Sequence, residues 1–424
     1  MDIYAKFQNK TISDIIFQLR KEKNLTYSEL EELTGVSRSV LYRIDRGETK
    51  HPGFRTVKAI ATVFPTHYKE IMGYYIQDEE RINVLFEILS EIVNIEDHSS
   101  LVPMVALKIL QSPQGETEDN LQRLYDFIGK ISDSALKVIL YKAIIKYSRE
   151  HGVMQYLAKG LLQKHLIERL DLKRLEQSYQ DGQEILHYTN FLSFEEQITL
   201  YMRMGLLAFA VKKYDDCIQL CQTGIVMENK DTELKARVYL AMINSYLILK
   251  NYEEVERNLD IFEKFNYEFV SESAKIIKAI TKARKKEYEA AIPLLQKYLD
   301  ELSKNYKIHV ADELFEIYFE MGNLNACKEL LEREKDFLPE NMNGPQICKA
   351  VGKYYLQKGE YQFSLGFIDE GIQSILKSMD SYGRVNAFQE REECMNKIVN
   401  YCIKSRNTIK LKHLLLMKEV YSRK

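Results

Sequence analysis

The sequence predicts an all-α protein, and three observations carry that reading. Proline and glycine are scarce, 7 and 18 residues in 424; strand-and-turn folds need both often, whereas helices avoid them. Apolar residues recur at spacings of three and four, the mark of one buried helical face. A short motif also returns along the second half of the chain at a near-constant interval, which points to an array. The length exceeds one ordinary domain, and the 45% apolar fraction is that of a folded protein.

Composition narrows function as well. The formal net charge is −2, so the whole molecule makes no strong electrostatic claim on nucleic acid or membrane. No apolar run reaches the roughly 18–20 residues of a membrane span. The opening MDIYAKFQNK lacks the apolar core of a signal peptide, and a cytoplasmic location is expected. The six cysteines show no CxxC, and Cys217 and Cys221, one helical turn apart, read as buried small residues. No His-based metal motif, phosphate loop or nucleophile elbow is present. The expectation is therefore no metal, no cofactor and no enzyme.

The N-terminal elements follow in order. Residues 12–23 place Ile12, Ile15, Ile16 and Leu19 on one face of a first helix. Thr26 and Glu29 form a capping box that starts a second helix, with Leu30 and Leu33 on its inner side. Gly35 supplies the turn. Ser37 is placed to cap a third helix, with Val40, Leu41 and Ile44 inward and Gly47 at its end. Residues 54–64 give a fourth. Two short helices about a glycine turn make a helix-turn-helix, whose second helix enters the DNA major groove. The candidate DNA contacts are Ser37, Arg38, Ser39, Tyr42, Arg43 and Lys50, with Thr26 and Tyr27 placed to hold a phosphate through backbone N–H groups at the start of the preceding helix. Residues 1–64 carry eleven Lys/Arg against eight Asp/Glu, a modest basic bias in the direction phosphate contact requires.

The string LRKEKNLTYSELEELTGVSRSVLYRIDRGE resembles the lambda-repressor-like, Xre-type helix-turn-helix family over residues 12–64. Glu31 stands where that family usually has Ala, Thr34 where it has Leu, and Tyr27 where Gln is frequent.

The second half is punctuated by KKYDDC, KNYEEV, KEYEAA, GNLNAC and GEYQFS. Their anchors Tyr214, Tyr252, Tyr288, Leu324 and Tyr361 are 38, 36, 36 and 37 residues apart. A two-helix unit of this period resembles a tetratricopeptide repeat, with Gly352, Tyr355 and Gly359 at its small, aromatic and turn positions. One unit cannot bury its apolar face alone, so the units stack, and the array is expected to form a right-handed superhelix with a concave surface. The expected organisation is a DNA-binding domain over 1–70, a helical linker over 71–130 with an exposed loop at 112–120, repeats over 131–381, and capping or dimerisation helices over 382–424.

Projecting the repeat register onto the first helix of each unit puts Met202, Arg203, Leu206, Arg237, Leu240, Ala241, Asn244, Asp312, Glu313, Glu316, Lys349 and Lys353 on the concave face. An Asn amide both donates to and accepts from a peptide backbone, Arg grips a carboxylate in two places, and the acidic cluster suits a basic group. A helix-turn-helix followed by such repeats resembles the RRNPP family of peptide-pheromone receptors, and FPTHYKEIMGYYI looks like the arbitrium receptors of temperate phages. The resemblance implies a homodimer that binds a double-stranded DNA operator and is controlled by a short signalling peptide in the groove, in quorum sensing or phage lysis–lysogeny control. Some family members instead use the array to bind response regulators or to act as phosphatases toward them, and this remains the alternative.

Overall fold

The computed structural model describes residues 11–95, 100–342, 344–405 and 410–422. Among these every regular element is helical. The opening decapeptide lies outside the described residues. The chain divides into two compact units, Met1–Ile167 with Tyr188–Leu192, and Glu168–His187 with Ser193–Lys424.

The first unit holds α1 (Ile12–Glu22), α2 (Tyr27–Thr34), α3 (Arg38–Asp45), α4 (Phe54–Val63), α5 (Tyr68–Asp78), α6 (Ile82–Ile92), α7 (Val102–Gln111), α8 (Thr117–Gly129), α9 (Ser134–His151) and α10 (Met154–Glu168). One continuous set of buried residues runs through it from Ile12 to Tyr156, so α5–α8 share a core with the helix-turn-helix and with α9. Local chemistry sets the helix ends. Thr11 and Asp14 form a capping box at α1, Thr26 and Glu29 another at α2, and Gly35 closes α2 with a φ of 68°. Leu33 is not on the inner side of α2: it is 59% exposed, while Leu30 is buried. The loop expected over 112–120 is shorter, because α8 begins at Thr117 and Asn120 turns inward to donate to the Ser112 carbonyl.

The second unit contains α11 (Leu175–Leu186), α12 (Phe194–Ala210), α13 (Tyr214–Met227), α14 (Glu233–Ile248), α15 (Tyr252–Phe262), α16 (Glu268–Arg284), α17 (Tyr288–Glu301), α18 (Lys304–Glu320), α19 (Leu324–Glu332), the short α20 (Glu334–Phe337), α21 (Pro345–Ser364), α22 (Ile368–Gly383), α23 (Phe388–Ser405) and α24 (Leu411–Ser422). These are stacked helix pairs, the arrangement the repeat predicts. Within successive pairs the chain reverses through one residue of left-handed backbone: Lys212, Lys250, Lys286, Gly322 and Gly366, with φ between 60° and 80°. Two residues later the outer helix begins, at Tyr214, Tyr252, Tyr288, Leu324 and Ile368.

The fifth turn is therefore not at GEYQFS. Residues 345–364 form one unbroken helix, and Gly359 and Tyr361 lie within it. Gly359 serves close approach instead of a turn: a Cβ there would fall 2.5 Å from Ile375 Cγ1. Gly352 is equally tight, 2.6 Å from Tyr382 Cε1. The cost of glycine in a helix, about 1 kcal/mol, is offset by the closeness of α21 to α22.

Candidate DNA-reading face and repeat hollow

In the first unit a buried charge network fixes the helix-turn-helix. Arg20 on α1 meets Asp45 at the end of α3 at 2.6 Å, with side chains only 8% and 2% exposed. The guanidinium also donates to the Leu25 carbonyl at 3.0 Å and lies 4.4 Å over the Tyr27 ring. Burial works against the Arg20 charge, but Asp45 overrides it and the guanidinium is held more firmly protonated than usual. Tyr27 donates to Asp45 at 2.7 Å. Burial, and then that carboxylate, push the Tyr27 phenol up. The Tyr27 side chain is thus occupied by the core of the motif.

Arg38, Ser39, Tyr42 and Arg43 are exposed along α3, and Lys50 follows it, also exposed. Ser37 occupies the N-cap position but makes no capping bond; its hydroxyl lies 3.3 Å from that of Ser39. The cap comes from α2. Glu31 accepts from the Arg38 backbone N–H at 3.2 Å and pairs with its guanidinium at 2.9 Å. Thr26 is exposed and engaged with Glu29. Two residues of this face escaped sequence reasoning. Arg46, exposed, lies 5.5 Å over the Tyr42 ring; its position one turn after Tyr42 was the available signal. The capping role of Glu31 had only its departure from the family pattern to announce it.

In the second unit the first helices of the pairs line a hollow with two connecting cavities. One, of about 900 Å³, is walled by Arg237, Leu240, Asn244, Ile276, Ile280 and Tyr306 among others. The other, of about 830 Å³, is walled by Arg284, Asp312, Glu313, Glu316, Lys349 and Lys353 among others. Leu247, Ile248, Ile280, His309 and Gln346 line both. Each lies in the size range of ligand sites.

Several expected concave residues stand elsewhere. Met202 is fully buried against Gly224, where a Cβ would meet its Cγ at 2.8 Å, and Ala241 is 5% exposed. Both serve helix packing, because the concave stripe of each helix is narrower than the repeat register implies. Arg203 and Leu206 are half-buried and wall neither cavity.

The acidic end is a charge network. Arg284 pairs with Glu313 at 2.8 Å and with Glu316 at 2.5 Å, and Lys353 reaches Glu316 at 2.7 Å. Burial alone would raise Glu316, but the bonds from Arg284 and Lys353 hold it down at about 2. Burial outweighs its cationic neighbours at Glu313 and pushes that carboxyl up. Asp312, 5% exposed, keeps one oxygen without a partner and is raised by burial. His309 is driven down to about 4 by burial and the Lys353 charge. Lys349 donates to the Ala210 carbonyl at 2.5 Å, and Lys212 pairs with Glu390 at 2.7 Å, so the end of α12 and the turn after it touch α21 and α23 across the hollow. Arg284, Tyr306 and His309 were missed because nothing in their local sequence distinguishes a cavity wall from an outer surface.

The fold and site define a chain with an N-terminal helix-turn-helix and a helical-repeat unit. Residues 16–71 match the family described as Helix-turn-helix. No curated protein matches the chain. Among solved structures, selenomethionine-labelled phAimR aligns over 93% of this chain and 99% of its own, with 13% identity and a TM-score of 0.39. The APC/C hetero-tetramer Cut9-Hcn1 aligns over 98% and 91%, with 10% identity and a TM-score of 0.37. Likeness at this level carries no argument about activity, which rests on the geometry above. No described helix is long and apolar enough to cross a membrane.

Proposed function

We propose that this chain is a DNA-binding transcriptional regulator that acts as a homodimer on operator DNA and is controlled by a short peptide held in the repeat hollow. The observation that carries the reading is the joining, in one chain, of a matched helix-turn-helix with Arg38, Tyr42, Arg43 and Lys50 exposed, and a hollow of peptide size. Asn244 offers a backbone-like amide, apolar side chains from α14 and α16 offer anchors, and Asp312 offers an unmatched carboxylate for a cationic group. The bridges from Lys349 and Lys212 give the unit a contact that ligand binding can favour or break, and only a ligand preferring one state shifts the balance. The C-terminal helices support dimerisation: Ile403 on α23 and Leu411 and Leu415 on α24 are 69%, 71% and 59% exposed, apolar side chains that a second copy would cover.

The test has three parts. Selection from random duplexes should return a two-fold symmetric site, and Arg38→Ala with Arg43→Ala should each cost about 1–3 kcal/mol of binding to it. A peptide library should yield ligands that raise the thermal midpoint and lose affinity with Asn244→Ala. Ile403→Glu with Leu411→Glu should leave a monomer in sedimentation. A chain that selects no sequence, or whose hollow takes no peptide, refutes the reading.

A further inference from the structure

An array of stacked helix pairs has two free ends, because each pair touches only its neighbours along the chain. In the second unit the ends meet. The Lys349 ammonium on α21 donates to the Ala210 carbonyl at 2.5 Å, across 139 residues of sequence. Ala210 is the last residue of α12, and its carbonyl is one of those a helix end leaves without an internal partner, at the negative pole of the helix. Lys212, two residues on in left-handed backbone, reaches Glu390 on α23 at 2.7 Å. Asn386, in the turn before α23, donates to the Lys173 carbonyl across 213 residues, and the neighbouring Leu172 packs against the buried cluster of α21–α24. This seam differs from the joints between consecutive helices. There glycines bring the helices into contact: a Cβ on Gly205 would fall 2.6 Å from Cys221 Sγ. At the seam a cavity of about 430 Å³ lies between the two ends, walled by Leu175, Val211, Lys212, Lys349, Asn386 and Glu390 among others. A polar space of that size admits water, which competes for each contact the side chains make.

We propose that Lys349, Lys212 and Asn386 form a clasp that closes the repeat unit on itself, and that this seam is the joint at which the unit opens. The kind of contact on each side decides it. Parting consecutive helices exposes close-packed apolar surface, the costliest kind to wet. Parting the seam exchanges three polar contacts for contacts with water and, on the apolar side, exposes Leu172 and the rim of the small cavity. Lys212, Lys349 and Glu390 wall the cavity of about 830 Å³ as well. Whatever fills the hollow therefore meets the clasp from inside, and by linkage the state of the clasp sets how firmly it is held. That last step rests on the reading of the hollow as a ligand site; the clasp itself does not.

The experiment is a distance measurement across the seam in the full chain. Gln180→Cys on α11, which packs on α12, and Asn396→Cys on α23 carry spin labels; both positions are exposed and the six natural cysteines are buried. Labelled chain is diluted in unlabelled chain, so that pulsed electron resonance reads distances within one copy. At about 50 mM NaCl one short distance should predominate, and a longer one should grow as salt rises to about 1 M and screens the charges. Lys349→Met with Glu390→Gln should raise the ratio of long to short distance roughly tenfold or more, from the loss of two charge-assisted bonds. Lys349→Arg, which keeps a cationic donor, should retain the short distance and guards against a misfolded double variant. Glu393→Gln, which removes a charge on α23 outside the clasp, should change nothing. An unmoved distance in the double variant, or a long distance in the natural chain already at low salt, overturns the proposal. No peptide is present in the measurement, so its failure leaves the receptor reading standing, and a hollow that takes no peptide leaves the clasp standing.

Discussion

Glu31→Gln should make the chain bind arbitrary DNA more tightly, and more steeply with salt. The Glu31 carboxylate sits at the start of the recognition helix, capping the Arg38 N–H and holding the Arg38 guanidinium at 2.9 Å. That is where a helix N-terminus would otherwise offer itself to a phosphate. The side chains are 65% and 36% exposed, so the ion pair itself contributes at most about 1 kcal/mol and the fold should survive the change. The amide of Gln keeps a capping acceptor and removes the charge. Freeing Arg38 for one more phosphate contact steepens the log–log salt dependence by about 0.9, which makes affinity fall about 3.5-fold more between 50 and 200 mM salt. Fluorescence anisotropy of a labelled non-specific duplex, titrated at several NaCl concentrations, reads this directly. An unchanged slope, or weaker binding by the variant at every salt, would show that Glu31 orients Arg38 and does not hold it back.

Other consequences are equally direct. Arg20→Met strands the Asp45 carboxylate, 2% exposed, and should cost about 3–5 kcal/mol in denaturant unfolding of the first unit; a loss below about 1 kcal/mol would contradict the network. Gly352→Ala should cost about 1–3 kcal/mol through overpacking, because its Cβ would lie 2.6 Å from the Tyr382 ring, whereas Gly322→Ala, in open space at φ 68°, should cost only about 1 kcal/mol of backbone strain; the reverse order in urea melts would refute the packing. His309, lowered in the fold from 6.5 to about 4, lets the unfolded chain take a proton first. Its contribution to stability is therefore full above pH about 6.5 and is lost as pH falls toward about 4. It faces a solvent-reached hollow although ringed by protein, so the loss is discounted to about 1–3 kcal/mol. His309→Gln should flatten that part of the pH–stability curve, and an unaltered curve would exclude the assignment.

The sequence by itself determined what depends on neighbours along the chain. Scarce Pro and Gly, helical spacing and the capping box at Thr26 fixed the elements, since caps and turns act within four residues. The lysines and glycines before Tyr214, Tyr252, Tyr288 and Leu324 marked the reversals for the same reason. The exposed face of the recognition helix was legible too, because one periodic helix on a small core has only one outer side. Tertiary structure alone decided the rest. Gly359 read as a turn residue until packing of α21 against α22 showed it as a contact point. Met202 read as a ligand contact until Gly224 claimed it. His309 and Arg284 had no local mark, because a side chain becomes a cavity wall only through helices dozens of residues away. Pairwise contact across such distances is set by how the helices stack, and a residue's type records what it is able to bind, not which partner the fold brings to it.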